Sequence, residues 1–476
     1  MNCGKSRAMI TPEQVDDVFG VACRLLETEG IQVESERVAD LLGSFKGVEV
    51  GGPGERVKIP THLVEESLEG ARQWDRTLFD RSGEKAFPLE GGGFFDPGSC
   101  AIHVRDYQTG VRPGETRDLV RFCRVADYLD DVDLQSTAFV SHDVPREVQD
   151  CYRLYVVLVS SGKPIVTGTF GREGYGPMRD MLLAVRGGEE ELRAKPLAIF
   201  DCAPSAPLKW SGFLSEDIVD CARLGIPVEF VSMPVPGTLA PVYLYDALIQ
   251  HTAESLSGIV ISQCAQKGAP IIYGGSPMSW DFRMTHCIAT PDVMKLDAAY
   301  AQVGHKLGLA THAYLGLTDA NFVDYQAGAE SLFGILVALQ SGIDVISGLG
   351  MIAQESLQSI EKLVLDAEMA RRARHFVRGI REREFNPEVW TALFQGNIMR
   401  HESTMRDFRE EILLPRVMTG EAIETEDALA AAHGEVERIL MKHHPEPVEE
   451  SLHGELRAIM ETQVRRYGMR ELPALD

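Results

Sequence analysis

No run of about 18 apolar residues, the length that a membrane-crossing helix requires, occurs in the 476-residue chain. The first residues, MNCGKSRAMITPEQ, lack the 7–15-residue apolar stretch of an export signal. The nine cysteines are an odd number without any CxxC spacing, which favours reduced thiols over a disulfide framework. We therefore expect a cytoplasmic protein that enters no membrane.

Basic residues are also scarce. The chain has 47 Lys and Arg against 71 Asp and Glu, a formal net charge of −24. A surface this negative repels phosphate backbones and anionic lipids. Because the sequence contains no local basic patch, we expect neither nucleic acid nor a membrane surface as a partner, and we favour small-molecule or cationic ligands.

Several common catalytic motifs are missing. Neither HxxxH nor CxxC occurs, and zinc needs three or four Cys, His or carboxylate ligands on converging elements, so we expect no bound metal. The GxSxG motif of a serine nucleophile is absent as well. No glycine-rich phosphate fingerprint marks the switch point of an open dinucleotide-binding sheet.

The chain does contain a repeated pattern of strand followed by helix. Short β-prone runs occur at 136–140, 164–169, 197–201, 228–232, 270–273, 310–314 and 345–347. Seven such units predict a parallel sheet with right-handed crossovers. We expect a TIM-type (β/α)8 barrel rather than an open doubly wound sheet. The eighth strand is placed either in 91–110, which also resembles a hairpin, or after Gly350.

The composition outside these repeats predicts a three-part organisation. Residues 1–90 form an N-terminal helical cap, with a first helix starting at the N-cap Thr11. Residues 91–380 form the barrel. The polar residues 381–476 form a helical C-terminal extension.

The active sites of such barrels lie where the strands end at their carboxyl side. The residues that follow the expected strands are rich in Gly, Pro, Met and aromatics and poor in paired acids and bases. Small residues at one rim fit a wide mouth that a large flat cofactor could approach. The cofactor-binding candidates are Gly237, Gly274, Gly275, Ser276, Gly348 and Gly350.

Several segments, taken together in their order and spacing, carry a resemblance to a known family. They are LLETEGIQV (25–33), PSAPL (204–208), PV (241–242) with ALIQHTAESLSGIVISQ (247–263), APIIYGG (269–275), TDA (318–320) with DYQAGAE (324–330), and GNIMRH (396–401). The chain resembles the trimethylamine methyltransferase family over nearly its whole length. The resemblance implies a TIM-type barrel that presents its strand ends to the corrinoid domain of a partner protein, which supplies cob(I)alamin.

One departure from the family bears on the substrate. Members that demethylate trimethylamine contain pyrrolysine near a strand end, whereas this chain has only standard residues. Members without pyrrolysine resemble glycine betaine methyltransferase. A quaternary nitrogen leaves as a neutral tertiary amine and needs no general acid, so the protein mainly has to align the reacting atoms. We expect a quaternary amine, with glycine betaine first and proline betaine, carnitine or γ-butyrobetaine as alternatives.

Aromatic faces hold a trimethylammonium group without the tight ion pair that would stabilise the charged ground state. The aromatic candidates are Trp210, Phe213, Tyr243, Tyr245, Trp280, Phe282, Tyr314, Phe322 and Tyr325. Arg283, His312 and His142 are the candidates for a substrate carboxylate.

The loop 318–325 follows an expected buried strand and is our counterpart of the pyrrolysine region. Its Asp319 and Asp324, with His312, are the candidate catalytic residues. The alternative is that Thr318 caps the next helix and both aspartates are solvated.

Two other functional classes stay open. One is a barrel lyase or decarboxylase that uses acid/base chemistry, for instance Asp319 with His312. The other is a non-catalytic protein that binds quaternary amines. For the methyltransferase we also expect a homo-oligomer.

Overall fold

The computed structural model describes residues 8–52, 56–99, 101–418 and 427–475. The helices are α1 (Pro12–Thr28), α2 (Glu36–Gly43), α3 (Thr61–Ala71), α4 (Thr116–Tyr128), α5 (Gln149–Ser160), α6 (Tyr175–Arg186), α7 (Glu189–Ala194), α8 (Gly212–Leu224), α9 (Leu244–Ala265), α10 (Pro291–Lys306), α11 (Tyr325–Ser341), α12 (Ile360–Val377), α13 (Pro387–Phe394), α14 (Glu402–Glu411), α15 (Ala428–Lys442) and α16 (Glu450–Arg466). Short 3-10 helices cover Arg146–Val148 and Ile398–Arg400.

The strands are mostly short. They are β1 (Ile31–Val33), β2 (Glu49–Val50), β3 (Arg56–Lys58), β4 (Thr77–Phe79), β5 (Ala86–Pro88), β6 (Phe94–Phe95), β7 (His103–Asp106), β8 (Gly110–Pro113), β9 (Gln135–Ser136), β10 (Ile165–Gly168), β11 (Ala198–Cys202), β12 (Lys209–Trp210), β13 (Val228–Ser232), β14 (Ile271–Gly275), β15 (Ser279–Asp281), β16 (His286–Ile288), β17 (Ala310–Tyr314), β18 (Val345–Ser347), β19 (Met351–Ile352) and β20 (Leu357–Gln358).

Eight parallel strands form the central sheet, in the order β6-β18-β17-β14-β13-β11-β10-β9. The amides of Asp133 and Leu134, just before β9, donate to the carbonyl oxygen of Phe95 in β6, so the two edges of the sheet meet. The sheet is therefore closed, and the predicted TIM-type barrel with helical extensions is confirmed. All residues of β13, β14 and β17 are buried, as expected for parallel strands covered on both faces.

The eighth strand is β6, within the 91–110 region, and it is the first barrel strand along the chain. The predicted hairpin between the two β-prone pieces of that region is wrong. Phe94–Phe95 pairs with β18, whereas His103–Asp106 pairs with Gly110–Pro113. The turn residues between the pieces lead the chain out of the barrel rather than back along β6.

The N-terminal end of the barrel is closed by the hairpin β4–β5. Leu78 and Phe87 of this hairpin, together with Leu89, belong to one apolar cluster. The other members of the cluster lie at or just before the start of six barrel strands. These are Leu134, Val166, Ile199, Ile272, Ala310 and Val345. A ligand of the barrel interior therefore enters from the opposite, C-terminal end.

The N-terminal residues are joined to the barrel by backbone and side-chain contacts. Thr11 caps α1 and accepts a hydrogen bond from the Gln14 amide, as predicted. Strand β1 pairs with β12, which follows the barrel strand β11, and α1 and α3 pack against α9. No helix of the described ranges is both long enough and apolar enough to cross a membrane. The division at residues 90 and 380 stays a prediction.

Candidate active site

A cavity of about 260 Å³ lies at the C-terminal end of the barrel. It is lined by Ser99, Gly168, Thr169, Phe170, Asp201, Ala203, Phe213, Leu214, Val231, Met233, Ser276, Tyr314 and Glu355. Most of these side chains are apolar, and two are acidic. No Lys, Arg or His is among the described residues that line the cavity. The walls therefore suit a small cationic or apolar group.

Asp201 is held at the cavity surface by two hydroxyl groups. It lies in β11, and its Oδ2 accepts hydrogen bonds from the hydroxyl of Tyr314 at 2.9 Å and from Ser99 Oγ at 3.0 Å. Tyr314 ends β17 and Ser99 follows β6. Three strands thus contribute to one acidic position.

Further ionisable groups lie one layer deeper in the barrel. Side chains two residues apart on a strand point the same way, so Glu229 lies beneath Val231 and His312 beneath Tyr314. The Nδ1 of His312 contacts Oε2 of Glu229. Its Nε2 lies 2.6 Å from the hydroxyl of Ser347.

Asp96 completes this deeper layer. Its carboxylate accepts a hydrogen bond from the Ser347 hydroxyl and one from the Gly98 amide at 2.8 Å, and lies 4.0 Å from His312 Nε2. Asp96 and Glu229 are completely buried. We call Asp96, Asp201, Glu229 and His312 the acid cluster.

Desolvation shifts the pKa values of the acid cluster towards neutral forms. Burial, with the neighbouring Glu229, raises the pKa of Asp201 well above its ordinary value. Burial likewise raises the pKa of Glu229, raises the pKa of Asp96 to about 6 and lowers the pKa of His312. These shifts favour the protonated forms of Asp201 and Glu229 and the neutral imidazole of His312 over their charged forms.

Gly274 makes the space that Glu229 occupies. A Cβ at this position would lie 2.0 Å from Oε1 of Glu229, and at Gly275 it would lie 2.5 Å from Nε2 of His251. Burial lowers the pKa of that imidazole to about 3. These two glycines therefore serve packing within the barrel wall, while their predicted cofactor role stays a prediction.

A strained turn brings Glu355 to the cavity. Ala353, Gln354 and Glu355 all have positive φ values, of 49°, 51° and 66°, although none is glycine. Such conformations cost of order 1–3 kcal/mol each and are concentrated at functional sites. Glu355 Oε1 accepts a hydrogen bond from the hydroxyl of Ser276 at 2.9 Å, which ties the turn to the loop after β14.

Phe170 lines the cavity next to Asp201, and Arg153 packs behind it. The Arg153 guanidinium is completely buried and lies 4.8 Å from the centre of the Phe170 ring. It donates hydrogen bonds to the carbonyl oxygen of Ser99 at 2.6 Å and to Asp150 at 3.1 Å. This arginine supports the cavity from behind rather than lining it.

The structure brings four of the sequence candidates together at this site. Phe213, Tyr314 and Ser276 line the cavity, and His312 lies in the acid cluster. The other cofactor candidates are turn residues. Gly237, Gly348 and Gly350 have positive φ values of 86°, 111° and 85°, and none of them lines the cavity.

Most of the aromatic candidates lie elsewhere. Trp210 is buried, where its Nε1 donates to Ser257 Oγ at 2.8 Å. Tyr243 and Tyr325 are 73% and 91% exposed, and Trp280 is half-buried in β15. These side chains therefore do not enclose a common space.

The remaining candidates lie at the surface of the barrel's C-terminal face. Phe322 is 58% exposed and packs under the guanidinium of Arg105. Arg283 is an exposed partner of Asp281 at the tip of β15–β16. The Nε2 of exposed His142 lies 2.8 Å from the carbonyl oxygen of Ile102.

The two aspartates of loop 318–325 make backbone contacts. Asp319 accepts a hydrogen bond from the Ala289 amide at 2.8–2.9 Å, and burial raises its pKa to about 6. Asp324 is the N-cap of α11 and accepts from the Ala327 amide. Neither lines the cavity, and their catalytic role stays a prediction.

Four acidic residues of the site escaped the sequence analysis, namely Asp96, Asp201, Glu229 and Glu355. The rim had been expected to lack paired acids and bases, yet three of these acids lie together in the barrel interior. A signal was present: Asp201 and Glu229 interrupt the otherwise apolar runs 198–202 and 228–232. Ionisable residues in such strands are rarely buried without a role.

Within the described residues, no group of three or more His, Cys, Asp or Glu is arranged to hold a metal ion. Cys23, Cys123, Cys151, Cys202 and Cys221 are buried free thiols.

Known proteins are similar to the chain over nearly all of its length. A family model described as trimethylamine methyltransferase (MTTB) matches residues 2–468. The chain is 29% identical to trimethylamine methyltransferase MttB of Desulfitobacterium hafniense DCB-2, over 98% of this chain and 96% of that protein. It is 24% identical to glycine betaine methyltransferase of Desulfitobacterium hafniense Y51, over 97% and 98% of the two chains.

A solved structure supports the architecture. The monomethylamine methyltransferase MtmB of Methanosarcina barkeri matches with a TM-score of 0.51 and 10% identity, over 91% of this chain and 90% of that one. At this identity the match concerns the fold alone.

Proposed function

Because the chain belongs to the trimethylamine methyltransferase family, we propose that it transfers a methyl group from a quaternary amine to the cob(I)alamin of a corrinoid protein. The observation that carries this proposal is the cavity at the barrel mouth. Its walls are aromatic and aliphatic, two carboxyl groups face it, and no basic side chain lies among its described lining residues. A trimethylammonium group is a cation with an apolar surface and suits such walls.

The rim of the mouth suits a large flat macrocycle. Four apolar side chains in loops after four of the barrel strands are exposed: Phe170 (57%), Val242 (66%), Phe282 (69%) and Phe322 (58%). Cob(I)alamin, when bound there by its carrier protein, supplies the nucleophile. The residues of this chain then have to hold the amine, aim one methyl group outwards and exclude water.

The acid cluster suits a substrate that loses its charge during the reaction. A fixed carboxylate in contact with the ammonium group would stabilise the charged ground state more than the transition state. The raised pKa of Asp201 favours a protonated carboxyl group, which offers a dipole rather than a full charge. Phe170 and Phe213 on the walls supply further weak attraction.

Glycine betaine is our first candidate substrate, with proline betaine, carnitine and γ-butyrobetaine as alternatives. The lack of pyrrolysine in the sequence and the similarity to a glycine betaine methyltransferase support this choice.

The test is methylation of free cob(I)alamin, followed by visible absorbance, with a panel of these four betaines, tetramethylammonium and trimethylamine. We expect methylation with at least one quaternary amine and none with trimethylamine. Asp201→Asn and the surface variant Asp180→Asn form a matched pair, since Asp180 lies on α6, away from the cavity, and pairs with Arg179. Equal rates with trimethylamine, or no methyl transfer from any quaternary amine, would contradict the proposal.

One observation favours a second candidate, an acid/base lyase or decarboxylase. The contact of His312 with Glu229 is an acid/base pair within the barrel, although it lies beneath the cavity surface. Such an enzyme would show a bell-shaped pH–rate profile and a product formed without cobalamin. Binding of a quaternary amine without any turnover would instead identify a binding protein.

A further inference from the structure

The segment after α12 differs from every other helical part of the molecule. We define the helical arm as residues 378–414, which include α13, the 3-10 helix Ile398–Arg400 and α14. None of these three helices contains a buried residue. All other helices of the described ranges bury at least one residue.

The arm is nevertheless apolar. Between Phe376 and Leu414, eleven large apolar side chains are exposed by 45% or more, and Ile380, Phe385 and Phe394 by 77–102%. Single exposed apolar residues are normal on a protein surface, but a cluster of this kind marks an interaction site. Helix α13 has only eight residues, too few for a stable helix in water without packing. We therefore expect another protein surface to bury the apolar side chains of the arm.

The exposed area is enough for a stable interface. Large apolar side chains carry about 150–250 Å² each when aromatic, so these eleven expose on the order of 1,000 Å². A standard protein–protein interface buries about 800 Å² per partner.

The arm leaves the barrel at the end opposite to the mouth. Arg374, in the last turn of α12, donates to the carbonyl oxygen of Gly93 at 2.8 Å and pairs with Asp133. Gly93 directly precedes β6, and Asp133 lies just before β9. The end of α12 is therefore at the N-terminal face of the barrel. A protein that reaches the cavity therefore does not cover the arm.

The net charge of the arm indicates which protein binds to it. The residues 376–414 contain six Arg and seven Asp or Glu, a net charge of −1, whereas the whole chain has −24. Two copies of so acidic a chain repel each other over most of their surfaces, and the arm is a large apolar patch where this repulsion is nearly absent. Its mixed charges also allow arginines of one copy to face acids of the other. We propose that the helical arm joins two copies of this chain about a two-fold axis.

The test is the mass of the full chain in solution by sedimentation velocity. We expect the wild type to have at least twice the chain mass of 52.5 kDa and Phe394→Glu to have half the wild-type mass. Trp390 and Phe394 lie on one face of α13, with ring centres 6.4 Å apart, so Trp390→Glu should act alike. The control Met441→Glu changes a side chain that is 73% exposed on α15, outside the arm, and should keep the wild-type mass.

Hydrogen exchange of the wild type gives a second measurement that needs no variant. Amides of α13 and α14 should exchange more slowly at high protein concentration than after dilution, while those of the barrel strands should not change. A monomeric wild type, an unchanged mass of Phe394→Glu and Trp390→Glu, or concentration-independent exchange in the arm would overturn the proposal.

Discussion

The carboxyl group of Asp201 links ligand binding to pH. Its pKa lies well above the ordinary value because it is buried beside Glu229. The protonated form offers a quaternary amine only a dipole, whereas the ionised form attracts its positive charge more strongly, so the affinity rises with pH as Asp201 ionises. We expect the affinity for tetramethylammonium, measured by calorimetry, to increase from weakly acidic to weakly alkaline pH.

The variant Asp201→Asn should lose this increase and bind about tenfold more weakly at alkaline pH, equivalent to about one unit of linked pKa shift. Asp180→Asn should keep the wild-type profile. An affinity for tetramethylammonium that is flat with pH in the wild type would contradict the role of Asp201.

Gly274 is predicted to be essential for stability and activity because its lack of a side chain leaves room for Glu229. Because an added Cβ would lie 2.0 Å from Glu229 Oε1, Gly274→Ala should lower the free energy of unfolding by about 1–3 kcal/mol and abolish methyl transfer. The double variant with Glu229→Ala should recover most of the lost stability but not the activity. The control is Gly171→Ala, where the new Cβ meets no atom within 4 Å. Denaturant unfolding of all four proteins provides the measurement, and a stable, active Gly274→Ala would disprove the steric argument.

At the scale of elements, the barrel strands were predictable because short β-prone runs alternate with helical stretches along the chain. Runs such as 228–232 and 310–314 coincide with β13 and β17. The strand β6 was not predictable in the same way, since its two residues lie between glycines and the turn residues Asp96 and Pro97. Its hydrogen bonds depend on β18 and β9, which are distant in sequence.

The acid cluster could not be predicted for a related reason. Asp201, Glu229 and His312 come from three different strands and Asp96 directly follows a fourth, β6, so only barrel closure and strand register bring them into contact. The loop 318–325 was easier to notice because its polar residues are adjacent in sequence. Adjacency of this kind also results from capping, which is what Asp324 does at α11.

The loop between β17 and α11 provides the next prediction. Asp319 ties this loop to Ala289, just after β16. From this contact we expect Asp319→Ala to lower the free energy of unfolding by about 0.5–1.5 kcal/mol while turnover of the folded enzyme stays close to wild type. Loss of turnover at an unchanged melting temperature would instead establish the catalytic role predicted from the sequence. Asp292→Ala, which removes only an exposed pair with Lys295, is the control.

At the scale of the whole molecule, the described residues place the entrance to the cavity at the C-terminal mouth of the barrel. The hairpin β4–β5 seals the barrel from below with Leu78 and Phe87, and the strained turn 353–355 reaches the cavity from the side. On the proposed function, a quaternary amine and the cobalt of its acceptor would use the same mouth. We then expect the amine to bind first and its carrier to follow.

The same chemistry leads to a prediction about metal ions. A quaternary nitrogen is already positively charged and leaves as a neutral amine, so the leaving group gains nothing from a Lewis acid. The described residues also offer no convergent group of His, Cys and carboxylate ligands. We expect methyl transfer to cob(I)alamin to proceed at an unchanged rate after extended dialysis against a strong chelator, measured by visible absorbance beside an undialysed sample. A loss of rate that added zinc restores would contradict both the leaving-group argument and the expectation of a metal-free site.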